Sequence, residues 1–589
     1  MPVSRGRKAK AKAKAPHRRS GNPAHPDNLP VVVDPSVELV TLAFKRARSG
    51  VSEPDHFLAG ALPPSPEAGT HLDAIEAGAY LTTVRTNLEA QAEELAQTYS
   101  GVQWLWYTRR LSTDLFAGYL ITTQFSDHGV LEALTGLSRN SADQRLDIEG
   151  RSNALYPFDV ESLRPVALMA SIAVALSQCH SWLRRSGKGT EFIVQAKDLP
   201  EPCPDEVLED VITTFDERVA HDLKLQWHPS LEQDAADQTA PILLGVTRIA
   251  SDWTEVPAWR GRLSQRRFIR MSGQFFIQFM TLGGLVDTVA AGGQSGTKWW
   301  QPHTPSLVVL LQSLFYDAAF LSEVAGVGLP KVGYLRRDRD YAEWVIDQVL
   351  PAFGEDLESI FPGEVPADGR SVIQALESVG PDIWPAQPGP IVRRLEEALV
   401  IDVWAASSRL HHDVLVPPEL GGAMVNAAAF RFESVVQDRI DATPWRPSPS
   451  ARSLLRGHLR FGGQNLTDID AVGERDGTLL LVSCKNIPFS PAYDSGEHRV
   501  VRNVATTVDK AVQHWEQVVA TMSASPVGDN FDVSAYEEVH GVVVTPRVTY
   551  SREPNTLAMS TYSTAQLRAA TSLGELVEAL LSDASQGGS

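Results

Sequence analysis

The stretch from Asn465 to Asn486, NLTDIDAVGERDGTLLLVSCKN, constrains this 589-residue chain more than any other. Leu466, Ile469 and Val472 stand apolar among acidic and small residues, Asp476-Gly477 supplies a turn signal, and Thr478 to Val482 is a β-prone apolar run. The pattern predicts a β-hairpin. Side chains alternate faces along a strand, so Asp468 and Asp470 share one face while Ile469 points into a core. On the partner strand Ser483 and Lys485 share a face, and Cys484 is turned away. Two carboxylates beside a lysine on paired strands can hold a divalent cation and a water next to a phosphate. The alternative for Asp470 with Lys485 is a surface ion pair on a hairpin.

The elements around the hairpin come in a definite order. Ala427 to Ile440 has helical period and offers Glu433, at the margin of a stripe marked by Phe430, Val435 and Val436. Asp470 and Lys485 follow, with fourteen residues between them; Val501 to Met522 is a long helical pattern; His540 to Thr545, HGVVVT, is a buried strand. This succession, with an apolar strand running into Cys-Lys-Asn, resembles the PD-(D/E)xK nuclease superfamily, the restriction-endonuclease-like fold, over about the last third of the chain. The resemblance implies an α/β C-terminal domain with a mixed central sheet flanked by helices. It implies Mg²⁺ or Mn²⁺ held by Asp470, Glu433 and Asp468 with the backbone carbonyl of Cys484, and Lys485 positioning or deprotonating the attacking water. Lys510 and Gln513 on the following helix are the implied phosphate contacts. The implied activity is phosphodiester hydrolysis, of DNA, in restriction or defence. Where the family places Asp or Glu, two residues before the lysine, this chain has Ser483, a weaker ligand for a hard cation. Either Asp468 or Asp509 supplies the missing carboxylate, or the domain is a nuclease-fold module without catalysis that binds nucleic acid or docks a protein.

Length points to more than one domain, and 43% hydrophobic with 21% charged residues is ordinary for a globular chain. Cys179, Cys203 and Cys484 are too few and too scattered for a disulfide framework or a cysteine zinc site, which leads us to expect a reducing, cytoplasmic setting. No apolar run reaches a membrane span, the longest being Val166 to Leu176 and Leu307 to Leu311, and the N-terminus lacks the apolar stretch of a signal peptide. Residues 1–30 are expected to form a disordered basic arm. Met1 to Ser20 carries eight Lys or Arg and no acid, which suits either counterion release on nucleic acid or a solvated tail. Without those charges the formal net moves from −19 to −27, so nucleic acid would need a localised basic groove on an acidic body.

Residues 31–380 are expected to be mainly helical and to provide any surface for a protein partner or a second copy. Leu72 to Tyr99, Pro165 to Leu183 and Ser306 to Ala325 have helical spacing, with a short strand near Glu191 to Gln195. Gly292 to Lys298, GGQSGTK, has the glycines and lysine of a phosphate loop in the wrong order and reads as an ordinary loop. Trp259 to Arg270 packs five arginines, Arg262, Arg266 and Arg267 among them, around Phe268; it suits a phosphate backbone or a solvated helix face paired with acids. Tyr334 to Tyr341, YLRRDRDY, reads as a surface salt-bridge patch. Pro381 to Pro390, with four prolines, reads as a linker (381–390) ahead of a nuclease-like domain at 391–589, whose first segment, Ile391 to Leu410, is helical in period. His411-His412-Asp413 suits a helix end or loop better than a metal site, because adjacent residues point in different directions.

Overall fold

The computed structural model describes residues 37–49, 55–111, 127–142, 156–157, 159–226, 242–248, 253–259, 266–272, 275–291, 298–317, 328–396, 398–415, 423–455, 457–487, 490–551 and 569–582. The basic arm, Arg262 and residues 292–297 lie outside them. The chain mixes helices with several small sheets.

Helices α1 (Val37–Ser49), α2 (Ala74–Ala96), α3 (Gly101–Thr108), α4 (Asp127–Thr135) and α5 (Val160–Lys188) build the first core. Asp73 opens α2 with a capping box: its carboxylate accepts the Ile75 and Glu76 N–H groups, and Glu76 reaches back to the Asp73 N–H. Asp159 caps α5 through the Ser162 N–H at 2.8 Å, so this helix starts before the expected Pro165, and the proline sits past its first turn. By length and composition α5 is apolar enough to cross a membrane, but Val166, Ile172 and Leu176 pack against Leu81, Val84 and Leu88 of α2 inside this core. The short strand near Glu191 exists as Phe192–Ile193.

After α6 (Glu206–Gln226) come two antiparallel strand pairs, β1 (Ile242–Arg248) with β4 (Phe275–Thr281) and β2 (Trp253–Trp259) with β3 (Arg266–Ser272). Arg266 and Arg267 therefore lie on a strand, not on a helix face. The buried helix α7 (Thr304–Tyr316) covers the lead-in Trp299 and Trp300. Strand β5 (Tyr334–Asp338) precedes α8 (Arg339–Ile360), and β6 (Val392–Leu395), β7 (Ala398–Asp402) and α9 (Val403–Leu415) follow. The sheet order is β5-β7-β6, all antiparallel.

This sheet changes three expectations. Ile391 to Leu410 is two strands and then a helix, because Ala398–Asp402 is buried at every position and shows no period to distinguish strand from helix. Tyr334 to Tyr341 is a surface patch only in part: Asp338 and Asp340 are exposed and Arg339 pairs with Glu343, but Arg337 is buried and donates to Asp317 at 3.2 Å, and the Tyr341 hydroxyl donates to the same carboxylate at 2.7 Å. Pro381 to Pro390 is a packed turn across which β5 pairs with β7, so it does not separate two units. Within it Trp384 stacks on His180 at 4.3 Å, and Asp382 accepts from the Arg409 guanidinium at 2.6 Å. At the end of α9, Asp413 is buried and accepts the Thr304 hydroxyl at 2.5 Å, with His303 at 3.1 Å.

The C-terminal α/β unit begins at α10 (Ala423–Asp441). A small hairpin, β8 (Leu459–Phe461) and β9 (Gln464–Thr467), leads to a four-stranded sheet of β10 (Ala471–Arg475), β11 (Thr478–Cys484), β12 (Glu538–Thr545) and β13 (Ala570–Ser572), in that spatial order. β10 and β11 are antiparallel, and the remaining pairs are parallel. The sheet is thus mixed. Between β11 and β12 run α11 (Pro491–Asp494) and α12 (His498–Ala524), and α13 (Leu573–Ser582) ends the unit. Leu479, Leu481 and Val543 pack on Val508, Val512 and Trp515 of α12, while Leu480, Val482 and Val544 pack on α10 and α13. The alternation of β11 therefore buries both faces.

Candidate active site

The β10–β11 turn forms where Asp476-Gly477 predicts it. Arg475 pairs with Thr478, and the two turn residues have φ of 48° and 80°, the left-handed pair that a two-residue hairpin needs. The first strand differs from expectation. Leu466 belongs to β9 and Val472 to β10, and Asp468, Ile469 and Asp470 form the connection between them. The two carboxylates therefore sit in a break in the strand. Ile469 is buried as expected; Asp468 is exposed and Asp470 half-buried.

Asp470 is held closely. Its backbone N–H donates to Val482 O at 3.1 Å, and its Oδ2 accepts the Cys484 N–H at 2.6 Å and, at a long 3.4 Å, the Ser483 hydroxyl. Lys485 donates through Nζ to Ser483 Oγ at 3.1 Å, and its own N–H donates to Val544 O at 2.8 Å, fixing the lysine to the end of β12. Ser483 thus stands between the carboxylate and the ammonium. The Cys484 side chain is buried among Phe432, Val436 and Val482, away from the lysine.

Helix α10 supplies Glu433. Its buried stripe is Phe432, Val436 and Ile440, spaced by four, and not Phe430, which is 72% exposed. Glu433 borders that stripe, half-buried. One turn on, Gln437 makes a contact that the sequence does not announce: its amide donates to Val472 O at 3.0 Å and accepts the Val472 N–H at 2.8 Å. A side-chain amide thereby pairs the outer edge of β10 as another strand would, and fixes the helix against the strand that starts beside Asp470.

The fields of these groups meet. Burial, then Asp470 and Asp468, push the Glu433 carboxyl up to about 7, with Lys485 opposing. Burial also raises Asp470, against the Cys484 N–H and the Lys485 charge. The Cys484 thiol is pushed far up by burial, then by Asp470 and Glu433. Glu433, Asp468, Asp470, Ser483 and Lys485 thus form one electrostatic cluster. Its anionic donors are all carboxylate oxygens, and that donor chemistry fits a hard divalent cation. Among the described residues, no three His, Cys, Asp or Glu side chains already converge as a metal-binding group. Asp509 is engaged elsewhere, accepting the Ser551 hydroxyl at 2.7 Å, while Lys510 and Gln513 are exposed on α12.

Compared with family models, with curated proteins and with solved structures, the chain matches none.

Proposed function

We propose that the C-terminal unit is a metal-dependent nuclease of the restriction-endonuclease-like fold, hydrolysing phosphodiester bonds of DNA, with restriction or defence against foreign DNA as its role. The reading is carried by one observation: at the end of a mixed sheet and beside Glu433 of α10, Asp470 and Lys485 meet at the Ser483 hydroxyl, 3.4 Å and 3.1 Å from it. Asp470, Glu433 and Asp468, with the Cys484 carbonyl, would hold Mg²⁺ or Mn²⁺, which when bound supplies positive charge and Lewis acidity beside the phosphate. Lys485, tethered to Ser483, orients the attacking water and keeps a positive charge where the phosphorane develops. Glu433, at about 7, holds or releases a proton near neutral pH. Exposed Lys510 and Gln513 suit contacts to the phosphate backbone.

The test is incubation of the full chain with plasmid and single-stranded DNA and Mg²⁺ or Mn²⁺. Wild type should cut, and Asp470→Asn and Lys485→Ala should each lose at least about 100-fold, the scale of one electrostatic contributor to a transition state. No cutting by wild type with either metal, or wild-type cutting by both variants, refutes the assignment. One observation favours a second reading, a nuclease-fold module without catalysis: Asp470 Oδ2 is already engaged by the Cys484 N–H and approached by Ser483, where the family has an acid. That module would bind DNA without cutting it and gain no thermal stability from Mn²⁺.

A further inference from the structure

We propose that the β8–β9 hairpin reads base edges in the major groove of duplex DNA beside the candidate active site, an assignment that rests on the nuclease reading for its ligand. The hairpin runs straight into the site: Thr467 ends β9, and Asp468 to Asp470 follow directly. Gly462 and Gly463 close it as a two-residue turn with φ of 60° and 76°, and both stand in open space. Its base is packed, through Leu459 and Leu466, into the core beneath α12. A two-stranded ribbon of this kind enters a groove about 12 Å wide.

The backbone of the hairpin is held while the side chains at its tip are uncommitted. The Arg460 N–H donates to Asn530 Oδ1 at 2.7 Å, and the Asp529 N–H donates to Arg460 O at 2.9 Å. The Gly463 N–H donates to Asp529 Oδ2 at 2.7 Å, and the Asn530 amide donates to His458 O at 2.9 Å. The segment between α12 and β12 thus braces the edge of β8 that β9 leaves free, as far as the turn. Arg460 stands opposite Asn465 in register and Phe461 opposite Gln464, and all four are exposed. Among the described residues, the Arg460, Gln464 and Asn465 side chains have no hydrogen bond or ion pair, and Phe461 has no ring contact. A rigid frame carrying unspent donors and acceptors is preorganised for a partner outside the chain.

The chemistry of the tip suits bases and not phosphates. An arginine fork matches N7 and O6 of guanine, a glutamine or asparagine amide matches N6 and N7 of adenine, and an exposed ring suits the thymine methyl. Asp529 at the turn and Asp468 at the base bring at least as much negative charge as Arg460 brings positive, so the hairpin offers no net attraction for a phosphate backbone. It supplies sequence preference, and bulk affinity must come from elsewhere. A strand advances about 3.3 Å per residue, so Gln464, six residues from Asp470, lies within about 20 Å of it, or about six base steps of 3.4 Å. The preferred bases must fall that close to the scissile phosphate.

The test is a binding selection with the full chain on duplex DNA carrying a randomised window, with Ca²⁺ in place of Mg²⁺, and sequencing of the bound fraction. Wild type should enrich a short motif containing adenine or guanine. Gln464→Ala and Arg460→Ala should each lower the preference at one position by about tenfold, with affinity for the unselected pool and its salt slope as in wild type. Both side chains are exposed and unbonded, so unchanged melting points separate this loss from unfolding. A motif that survives intact in both variants, or binding with no motif, would overturn the hairpin's role and leave the nuclease reading standing. A weaker pool affinity with a flatter salt slope in Arg460→Ala, at an unchanged motif, would make Arg460 a phosphate contact and overturn it too. Wild type that binds no duplex DNA would overturn both readings together.

Discussion

Asp470 carries two duties that substitution can separate. Its Oδ2 accepts the Cys484 N–H at 2.6 Å, so Asp470→Ala leaves that donor without its partner beside the end of a buried strand. We expect it to cost about 1–3 kcal/mol in urea unfolding. Asp470→Asn keeps an acceptor oxygen and should stay within about 1 kcal/mol of wild type while removing the charge. Equal stability of the two variants would show that the bond contributes nothing. Glu433 bears the opposite burden, because its folded carboxyl lies near 7 against about 4.5 unfolded. Between those values the native state holds the extra proton, so this residue's contribution to stability declines as pH rises from about 4.5 through 7. Glu433→Gln is therefore expected to melt higher than wild type at pH 8 and alongside it at pH 4.5. A higher melting point at pH 4.5 alone contradicts that sign.

At the scale of elements, what was legible followed from local chemistry. The Asp476-Gly477 hairpin formed as read because both turn residues take positive φ. Helix α12 and the HGVVVT strand also stand where the pattern put them. What was hidden depends on partners distant in sequence. The uninterrupted apolar run of β7 shows no period, and Phe430 passes for a core residue until Phe432 is seen facing the sheet. The break at Asp468 to Asp470 arises because β9 pairs with β8 and β10 with β11, a division that no local signal marks. Gln437 was missed for the same reason: a glutamine on a helix gives no sign that it will pair a strand edge. Gln437→Leu keeps the volume but strands the Val472 N–H and C=O, and should cost about 2–4 kcal/mol. On the proposed nuclease reading, it should also lower cleavage, because it loosens α10 against β10 and removes none of the proposed catalytic groups. A variant as stable as wild type would mean that the edge of β10 is satisfied some other way.

At the scale of the whole molecule, the first core and the β5-β7-β6 sheet are joined by buried charge. Arg109, which caps the C-terminal end of α3, donates to Glu132 of α4 at 2.8 Å and to Asp402 of β7 at 2.7 Å, and Arg248 of β1 approaches Glu132 at 3.3 Å. Composition gives no view of such a network, since its members look like any surface charges until the chain brings them together. His128 sits within it, 3.6 Å from Glu132, and burial, then the Arg248 charge, pushes its imidazole down to about 4 although Glu132 opposes. His411 is likewise pushed down to about 3, by burial and then Arg547. Both rings stay neutral in the fold while the unfolded chain takes up protons near 6.5. The unfolded state therefore binds more protons below that pH, and stability present above about 6.5 drains away as pH falls toward 4. For His128 alone the full difference is about 3 kcal/mol, a large share of the roughly 5–15 kcal/mol that holds a domain folded. Urea midpoints should drop between pH 7.5 and 5, and His128→Gln, which cannot take up the proton, should show a shallower drop. A wild-type midpoint unchanged across that range would mean that acid protonates neither ring on unfolding, and the buried network would then have to be drawn with His128 already charged.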